Sequence, residues 1–580
     1  MADRIGAVMV VGGGIGGIQA ALDLAAARFK VYLVEAKPAI GGHMAQLDKT
    51  FPTNDCAMCI VSPKLVECGR HRNIEILTDT ELVGLEGEAG NFTARLRVKP
   101  RYIDLSKCTG CGECAEVCPV HLPSEYDEGL AERGAVYRLY PQAIPNAFAI
   151  EKQGVSPCRD ACPIGQRTQG YITLIKQGRY EDALRTTKED NPFPAICGRV
   201  CNHRCEEACS RGKVDESVSI MALKRFVADT VYAQERPLPE PMPRTRKERV
   251  AIVGSGPSGL TAAQDLVKLG YGATVFEALP VAGGMMRVGI PAYRLPHELV
   301  EREVEEIIAL GVELKLDTPI HNAPRLLEEG YDAVFLAVGA HQGGKLPIPG
   351  ADHHDVLVAT DFLRRVNLGE EVKLGENVLV LGGGNVAIDA AMTALRLGAR
   401  KVSMACLESR ETMPAHEWEV EEAEKEGVEV YPSRSFARII CDGERISGVE
   451  CLEVRFMEFD AEGRLTLETV PGSQHTPSAD TVIFAIGQAP DLSLLSDSGV
   501  EITRRGTIVV DPESLATGRP GIFAGGDAVT GTAFIVDAIA AGHKAARSIY
   551  RYLQGEPLVQ PERRPPVAEL SQEEIEERVA

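Results

Sequence analysis

Ten cysteines fall between residues 108 and 209, in the runs CTGCGECAEVCP, CRDACP and CGRVCNHRCEEAC. This spacing constrains the chain more than any other feature. Thiols three or four residues apart fold short loops around a shared metal group rather than build a core. The chain has sixteen cysteines, of which only Cys406, Cys441 and Cys451 lie beyond residue 210. In 580 residues without a clear export signal, tight clusters read as metal sites in a reducing, cytoplasmic compartment rather than as disulfides.

Cys108-x2-Cys111-x2-Cys114-x3-Cys118-Pro119 has the spacing of a loop that holds a 4Fe-4S cluster. Gly110 and Gly112 permit its turns. Cys158-x3-Cys162-Pro163 repeats the tail of that pattern, and Cys197, Cys201, Cys205 and Cys209 follow at four-residue steps, on one helix face or around one loop. These ten are the candidate metal ligands. Cys56, Cys59 and Cys68 are three further candidates, to be weighed against buried thiols.

Three glycine-rich turns frame the cysteines. Gly12-x-Gly14-x-x-Gly17 lies between two β-runs and is followed 23 residues on by Glu35; Gly254-x-Gly256-x-x-Gly259 repeats the arrangement with Glu277. Glycines there let the backbone approach a pyrophosphate at a helix N-terminus, and the acid suits a ribose. The third turn is Gly382-x-Gly384-x-x-Ala387, and its second β-run leads to Glu408. An acid there prefers a free 2′-hydroxyl, so NAD(H) is expected over NADP(H). Gly284 and Arg287 in GGMMRVGIPAYRLP, Gly487 in TVIFAIGQAPD, and Gly526 and Asp527 in GIFAGGDAV are further candidate cofactor-binding residues, Asp527 for the ribityl or pyrophosphate part of a flavin. No catalytic acid, base or nucleophile set stands out.

The reading is a soluble α/β protein with Rossmann-like FAD and NAD(P) domains beside ferredoxin-like and α-helical iron–sulfur domains. The net charge of −21 argues against nucleic acid. The apolar start is broken by glycines, so it reads as the first nucleotide turn rather than a signal peptide, and no membrane span is expected. The expected boundaries are 1–100 (first FAD-type segment), 101–150 (ferredoxin-like), 151–233 (helical iron–sulfur), 234–248 (proline-rich exposed linker and domain boundary), 249–370 with 480–553 (FAD), 371–479 (inserted NAD(P) domain) and 554–580 (tail). Glu216–Val231 is expected to be an amphipathic helix with Ile220, Leu223, Phe226, Val227 and Val231 packed. Ser571-x-x-Glu574 is a capping pair.

Residues 8–150, through IGGHMAQLDKTFPTNDCAMC, KLVECGRH and KCTGCGECAEVCPV, resemble the flavin and ferredoxin part of the heterodisulfide reductase flavoprotein. Residues 155–553, through CRDACP, CGRVCNHRCEEAC, RVGIPAYRLP, ETMPAHE and the AGGDA segment, resemble the small subunit of glutamate synthase and related NAD(P)H-linked flavoprotein subunits. The resemblance implies an electron-transfer subunit with one or two FAD and two or three 4Fe-4S clusters. Its partner would be ferredoxin or other subunits of an oxidoreductase complex, with bifurcation open if two flavins bind. The chain departs from the first family by passing into the second before its first flavin fold is completed. It departs from the second where Leu407-Glu408 replace an arginine pair. The competing readings are an NADPH-using glutamate synthase small subunit and a non-catalytic scaffold.

Overall fold

Strand Ala7–Val11, helix Ile15–Ala26 and strand Lys30–Val34 form because an apolar β-run meets a turn only glycine can make, then a helix with Ile18, Ala21, Leu22 and Ala25 on its buried face. Gly12 has φ of 104° and Gly254 has 106°, in the left-handed region that other residues avoid. The computed structural model describes residues 6–118, 120–152, 154–234, 236–459, 465–496, 498–560, 571–573 and 576. Pro119, Glu235, Glu574 and most of the tail, including one half of the expected capping pair, lie outside them.

The chain divides into two units, residues 1–155 with 568–580, and 156–567. In the first unit, Ala7–Val11, Lys30–Val34 and Ile74–Leu77 make a three-stranded parallel sheet in that order. Buried Arg101 ties the end of this sheet to residues 147–148. Its Nε donates to Asp79 at 2.9 Å, and Nη1 reaches the carbonyls of Ala147 and Phe148.

The second unit holds two parallel five-stranded sheets. One runs Glu313–Lys315, Gly272–Phe276, Arg249–Val253, Ala333–Leu336, Ile522–Ala524 and is covered by helices Pro257–Lys268 and Ile535–Leu553. The other runs Val356–Val358, Thr481–Phe484, Asn377–Leu381, Lys401–Ala405, Glu429–Tyr431. Strands Val356–Val358 and Thr481–Phe484 thus belong to the inserted lobe, whose edges lie outside 371–479. A short antiparallel pair, Gln342–Gly343 with Gln488–Ala489, marks the two crossings between lobes.

The expected break at 234–248 is not a break between bodies. The segment is exposed, but Met242 N–H bonds Leu310 O and the N–H groups of Thr245 and Arg246 bond Gly270 O, so it runs along the flavin-type lobe. The cysteine-bearing helices pack on the same lobe. Glu303, fully buried on helix His297–Ala309, accepts the N–H of Ala195 at 2.8 Å and of Ile196 at 3.2 Å, together with the Tyr232 hydroxyl at 3.0 Å. A carboxylate on the first N–H groups of helix Pro194–Val200 compensates that helix end.

Candidate functional site

The flavin-type lobe and the inserted lobe open onto one cleft of about 460 Å³. The Gly254–Ser258 turn, Gly284, Gly526 and Asp527 line it from one side, and Thr360, Val386 and Asp389 of the inserted lobe line it from the other. A Cβ on Gly284 would lie 2.8 Å from the Gly256 Cα, so two glycines meet there and leave a bare backbone wall. Burial pushes the Asp527 carboxyl up to about 6, with a nearby Asp537 adding to it and the Ala533 backbone opposing.

The acids at the turns brace the backbone. Glu277 Oε2 accepts Ser255 N–H at 3.0 Å and the Ser255 hydroxyl at 2.6 Å, while Oε1 accepts Leu279 N–H at 2.9 Å. Glu35 does the same in the first unit, from Gly13 N–H at 2.6 Å and Lys37 N–H at 2.9 Å. In the third turn, Gly382 N–H bonds Ala405 O as Gly12 bonds Val34 O and Gly254 bonds Phe276 O. Cys406 therefore stands where Glu35 and Glu277 stand, and Glu408 comes two residues later. Its Oε2 nevertheless reaches the turn, 3.0 Å from where a Cβ on Gly383 would lie.

Two expected residues take other places. Arg287 is clamped by Glu301 at 3.1 Å and by the Asn367 carbonyl at 2.9 Å, and it is not among the residues that line the cleft. Gly487, with φ of 115°, belongs to the lobe crossing, its carbonyl held by Gly344 N–H. The lobes are latched instead by Arg294, which pairs with Asp389 at 2.7 Å and with Glu419. Burial pushes the Asp389 carboxyl up to about 6 against the pull of Arg294.

In the cysteine segment, helix Pro194–Val200 carries Cys197, Cys201 ends it, His203 turns with φ of 35°, and Cys205 lies on helix Arg204–Glu207. The four-residue steps thus span two short helices and a left-handed turn. Burial pushes the thiols of Cys197 and Cys205 up to about 12, Lys224 opposes in both, the Cys201 thiol adds to both, and the Cys162 thiol adds to the rise at Cys205. Lys224 is thus felt by the Cys197, Cys201 and Cys205 thiols, and the Cys162 thiol acts on Lys224 in turn. Cys158 donates to the Ser156 hydroxyl at 3.3 Å, and Cys209 precedes the turn Ser210–Lys213 without a side-chain bond to it. Unbridged thiols, buried at Cys162 and Cys197 and half-buried at Cys201 and Cys205, are the kind of donor an iron–sulfur cluster takes.

Lys224 is only 5% exposed, and on helix Ile220–Tyr232 it takes the buried stripe expected for Phe226, which is 45% exposed and rests edge-on against Tyr180. Ile220, Val227 and Val231 are buried as expected.

In the first unit, Gly110 and Gly112 have φ of 72° and 97°, the turns the loop requires. Cys108 and Cys118 are half-buried, Cys111 and Cys114 exposed. A backbone hydrogen bond from Val136 holds the Cys118 thiol below its usual value. Cys56, Cys59 and Cys68 do not form a ligand set. Cys56 and Cys59 are joined as a disulfide, and Cys68 lies nine residues further along helix Ala57–Arg70, about 13 Å at 1.5 Å per residue. Burial pushes the Cys68 thiol up to about 11.

Two dinucleotide-type lobes sharing a cleft, with clustered thiols packed on one of them, define a flavin- and nicotinamide-nucleotide-type oxidoreductase fold. Residues 248–542 match the pyridine nucleotide-disulphide oxidoreductase family, and the chain belongs to it. Residues 142–236 match the dihydropyrimidine dehydrogenase domain II 4Fe-4S family, 101–123 a 4Fe-4S binding domain, and 7–58 an FAD dependent oxidoreductase family. The chain is 43% identical to the NADP(+)-dependent formate dehydrogenase subunit beta of Moorella thermoacetica, over 69% of this chain and 60% of that one. It is 35% identical to the small chain of glutamate synthase [NADPH] of Escherichia coli, over 68% of this chain and 88% of that one. It is 33% identical to an NAD-dependent dihydropyrimidine dehydrogenase subunit PreT homolog of Salmonella typhi, over 69% and 91%. The chain thus spans less than two thirds of the length of the formate dehydrogenase subunit.

Proposed function

We propose that the chain is the electron-transfer subunit of an NAD(P)H-dependent flavin and iron–sulfur oxidoreductase, working with ferredoxin or with other subunits. One observation carries this reading. Arg204, between Cys201 and Cys205, pairs with Asp537 at 3.2 Å and lies 5.5 Å over the ring of Phe534, and Phe534 lines the cleft. The cysteine segment therefore touches the wall of the flavin-type site. FAD, when bound, accepts a hydride from a nicotinamide and releases electrons singly, and 4Fe-4S clusters carry single electrons.

The chain's own residues position these groups. The Gly254–Ser258 turn and Gly526 offer backbone to a pyrophosphate. Val386 and Asp389 bring the inserted lobe's nucleotide turn to the same cleft, and the Arg294 latch fixes the approach. Cys162, Cys197, Cys201 and Cys205 would hold one 4Fe-4S cluster, and Cys108, Cys111, Cys114 and Cys118 would hold another. NADH is the favoured donor, because the Glu408 carboxylate at the Gly383 turn opposes a 2′-phosphate and Arg410 is engaged by Glu424 at 2.8 Å. The names of the relatives carry both nucleotides, so this choice rests on Glu408. The likeness of residues 8–150 to the heterodisulfide reductase flavoprotein rests on the motifs quoted above.

Flavin and iron per chain, measured on anaerobically purified protein while NADH and NADPH are added side by side, test the reading. Bound flavin bleached faster by NADH is expected. A protein without flavin would be a scaffold, and faster bleaching by NADPH would favour the glutamate synthase-like alternative.

A further inference from the structure

The first and second nucleotide turns are built alike, bond for bond. Gly41 N–H bonds Gly13 O as Gly283 bonds Ser255 O; Glu35 N–H bonds Leu77 O as Glu277 bonds Lys315 O; Thr80 N–H bonds Glu35 O as Thr318 bonds Glu277 O. A Cβ on Gly42 would lie 2.8 Å from the Gly14 Cα, matching Gly284 and Gly256. Because the two are so closely alike, the second shows what the first is shaped to meet.

In the second turn, strand Arg249–Val253 is central. Ala333–Leu336 lies parallel along its other edge, with Asp332 N–H on Arg249 O at 2.8 Å and Ala337 N–H on Val253 O at 2.9 Å. A Cβ on Gly254 would run into the Ala337 carbonyl, and Val253 is 6% exposed. The third turn is closed in the same way, by Ala485 over Gly382. In the first turn, strand Ala7–Val11 pairs on one edge only, among the described residues. Val11 is 56% exposed, and a Cβ on Gly12 would meet nothing within 4 Å. By the register of the counterpart, Ala7, Met9 and Val11 turn their N–H and C=O groups to this open edge.

The helix tells the same story. On Pro257–Lys268, Ser258 and Ala262 are buried under helix Ile535–Leu553, which crosses closely enough that a Cβ on Gly542 would lie 2.7 Å from the Thr261 Cβ. Asp265 on that face meets His543 at 2.5 Å. The matching residues of Ile15–Ala26 are Gly16, Ala20 and Asp23, all exposed.

We propose that this edge and this helix face dock a second polypeptide carrying the complementary half of the fold. That half comprises a strand laid parallel along Ala7–Val11, and a helix with a small residue over Gly16 and a basic side chain facing Asp23. The partner's backbone then closes over Gly12, and the first dinucleotide turn is completed only in the assembly. An open strand edge is a template for such pairing.

The test uses the full chain, produced in its own organism with a benzophenone amino acid at Val11 or at Ala20. Cross-linked peptides are sequenced, and backbone amide exchange is compared between the assembly and the chain purified alone. Both positions are expected to attach to one second polypeptide, Val11 to a strand and Ala20 to a helix. The Met9 and Val11 amides should exchange at least tenfold more slowly in the assembly. Met9→Pro, which removes an edge N–H, and Asp23→Lys, on an exposed face that leaves folding intact, should each weaken the assembly tenfold or more. Cross-links only to another copy of this chain or within the chain would overturn the proposal. So would an absence of cross-links with unchanged exchange at Met9 and Val11.

Discussion

Arg294 of the flavin-type lobe and Asp389 of the inserted lobe form an ion pair at 2.7 Å, with the Asp389 side chain only 8% exposed. Removing the cation strands a buried carboxylate. Arg294→Ala is expected to cost about 3 kcal/mol of stability and to raise the NAD(P)H concentration needed for half-maximal flavin bleaching more than it lowers the maximal rate. Arg294→Met with Asp389→Leu should regain part of the stability, Glu419 still lacking its cation, without regaining the low half-saturation. Thermal unfolding and bleaching kinetics check both.

Glu303 ties the cysteine helix to the flavin-type lobe through two backbone N–H groups and the Tyr232 hydroxyl. Glu303→Ala should destabilise by about 3 kcal/mol and lower iron per chain, because three buried donors lose their acceptor. Glu303→Gln, which keeps an acceptor, should retain more iron. Equal iron in all three proteins would refute the link.

Lys224 is a buried cation that acts electrostatically on the Cys162, Cys197, Cys201 and Cys205 thiols. A positive charge stabilises the reduced, more negative form of a cluster. Lys224→Met is therefore expected to lower that cluster's midpoint potential, read by electron paramagnetic resonance during a redox titration, while Lys224→Arg stays near the parent. An unchanged potential in the Met variant would place the cluster elsewhere.

Asp527 supplies a pH dependence. Its carboxyl is raised from 3.8 to about 6 by burial, so the folded chain binds its proton more tightly than the unfolded one. Its contribution to stability is whole below 3.8 and lost as pH rises through about 6. Relative to Asp527→Asn, the parent should lose about 3 kcal/mol between about pH 3 and about pH 7. Urea unfolding of the two proteins across that range measures the difference, and parallel curves would contradict it.

Glu408→Gln should shift the ratio of NADPH to NADH efficiency by about tenfold toward NADPH, the effect of about 1.4 kcal/mol. Initial bleaching rates with each nucleotide give the ratio directly.

The three glycine turns were legible because a positive φ and a close backbone approach demand glycine; the acids Glu35 and Glu277, expected for a ribose, brace the turn backbone, and Cys406 takes their place in the third turn. The ferredoxin-spaced loop was legible for the same reason, and Gly110 and Gly112 turn as their positions require. What escaped was set by tertiary contact. Periodicity places Phe226 inside, but the thiols across the helix draw Lys224 in. The glycine-rich motif draws attention to Arg287, whereas Glu301 and the Asn367 carbonyl hold it as a clamp, and the neighbouring Arg294 carries the latch. Strand Thr481–Phe484 looks like a return to the flavin-type lobe, yet it pairs with Asn377–Leu381, because sheet membership is decided by a partner about a hundred residues away. Cys56, Cys59 and Cys68 share a spacing that suggests ligands, and the intervening helix separates them.

The only tryptophan of the chain, Trp418, stacks on His416 at 4.2 Å and lies 5.3 Å from the ring of His203, while His416 faces Phe534 at 6.0 Å. These rings come from the inserted lobe, the cysteine segment and the flavin-type lobe. A single native fluorophore thus stands at the junction of all three. Its emission therefore reads, without any introduced label, any change in the contact among the three, and stopped-flow optics can follow it in the unmodified protein while nucleotide or iron is added.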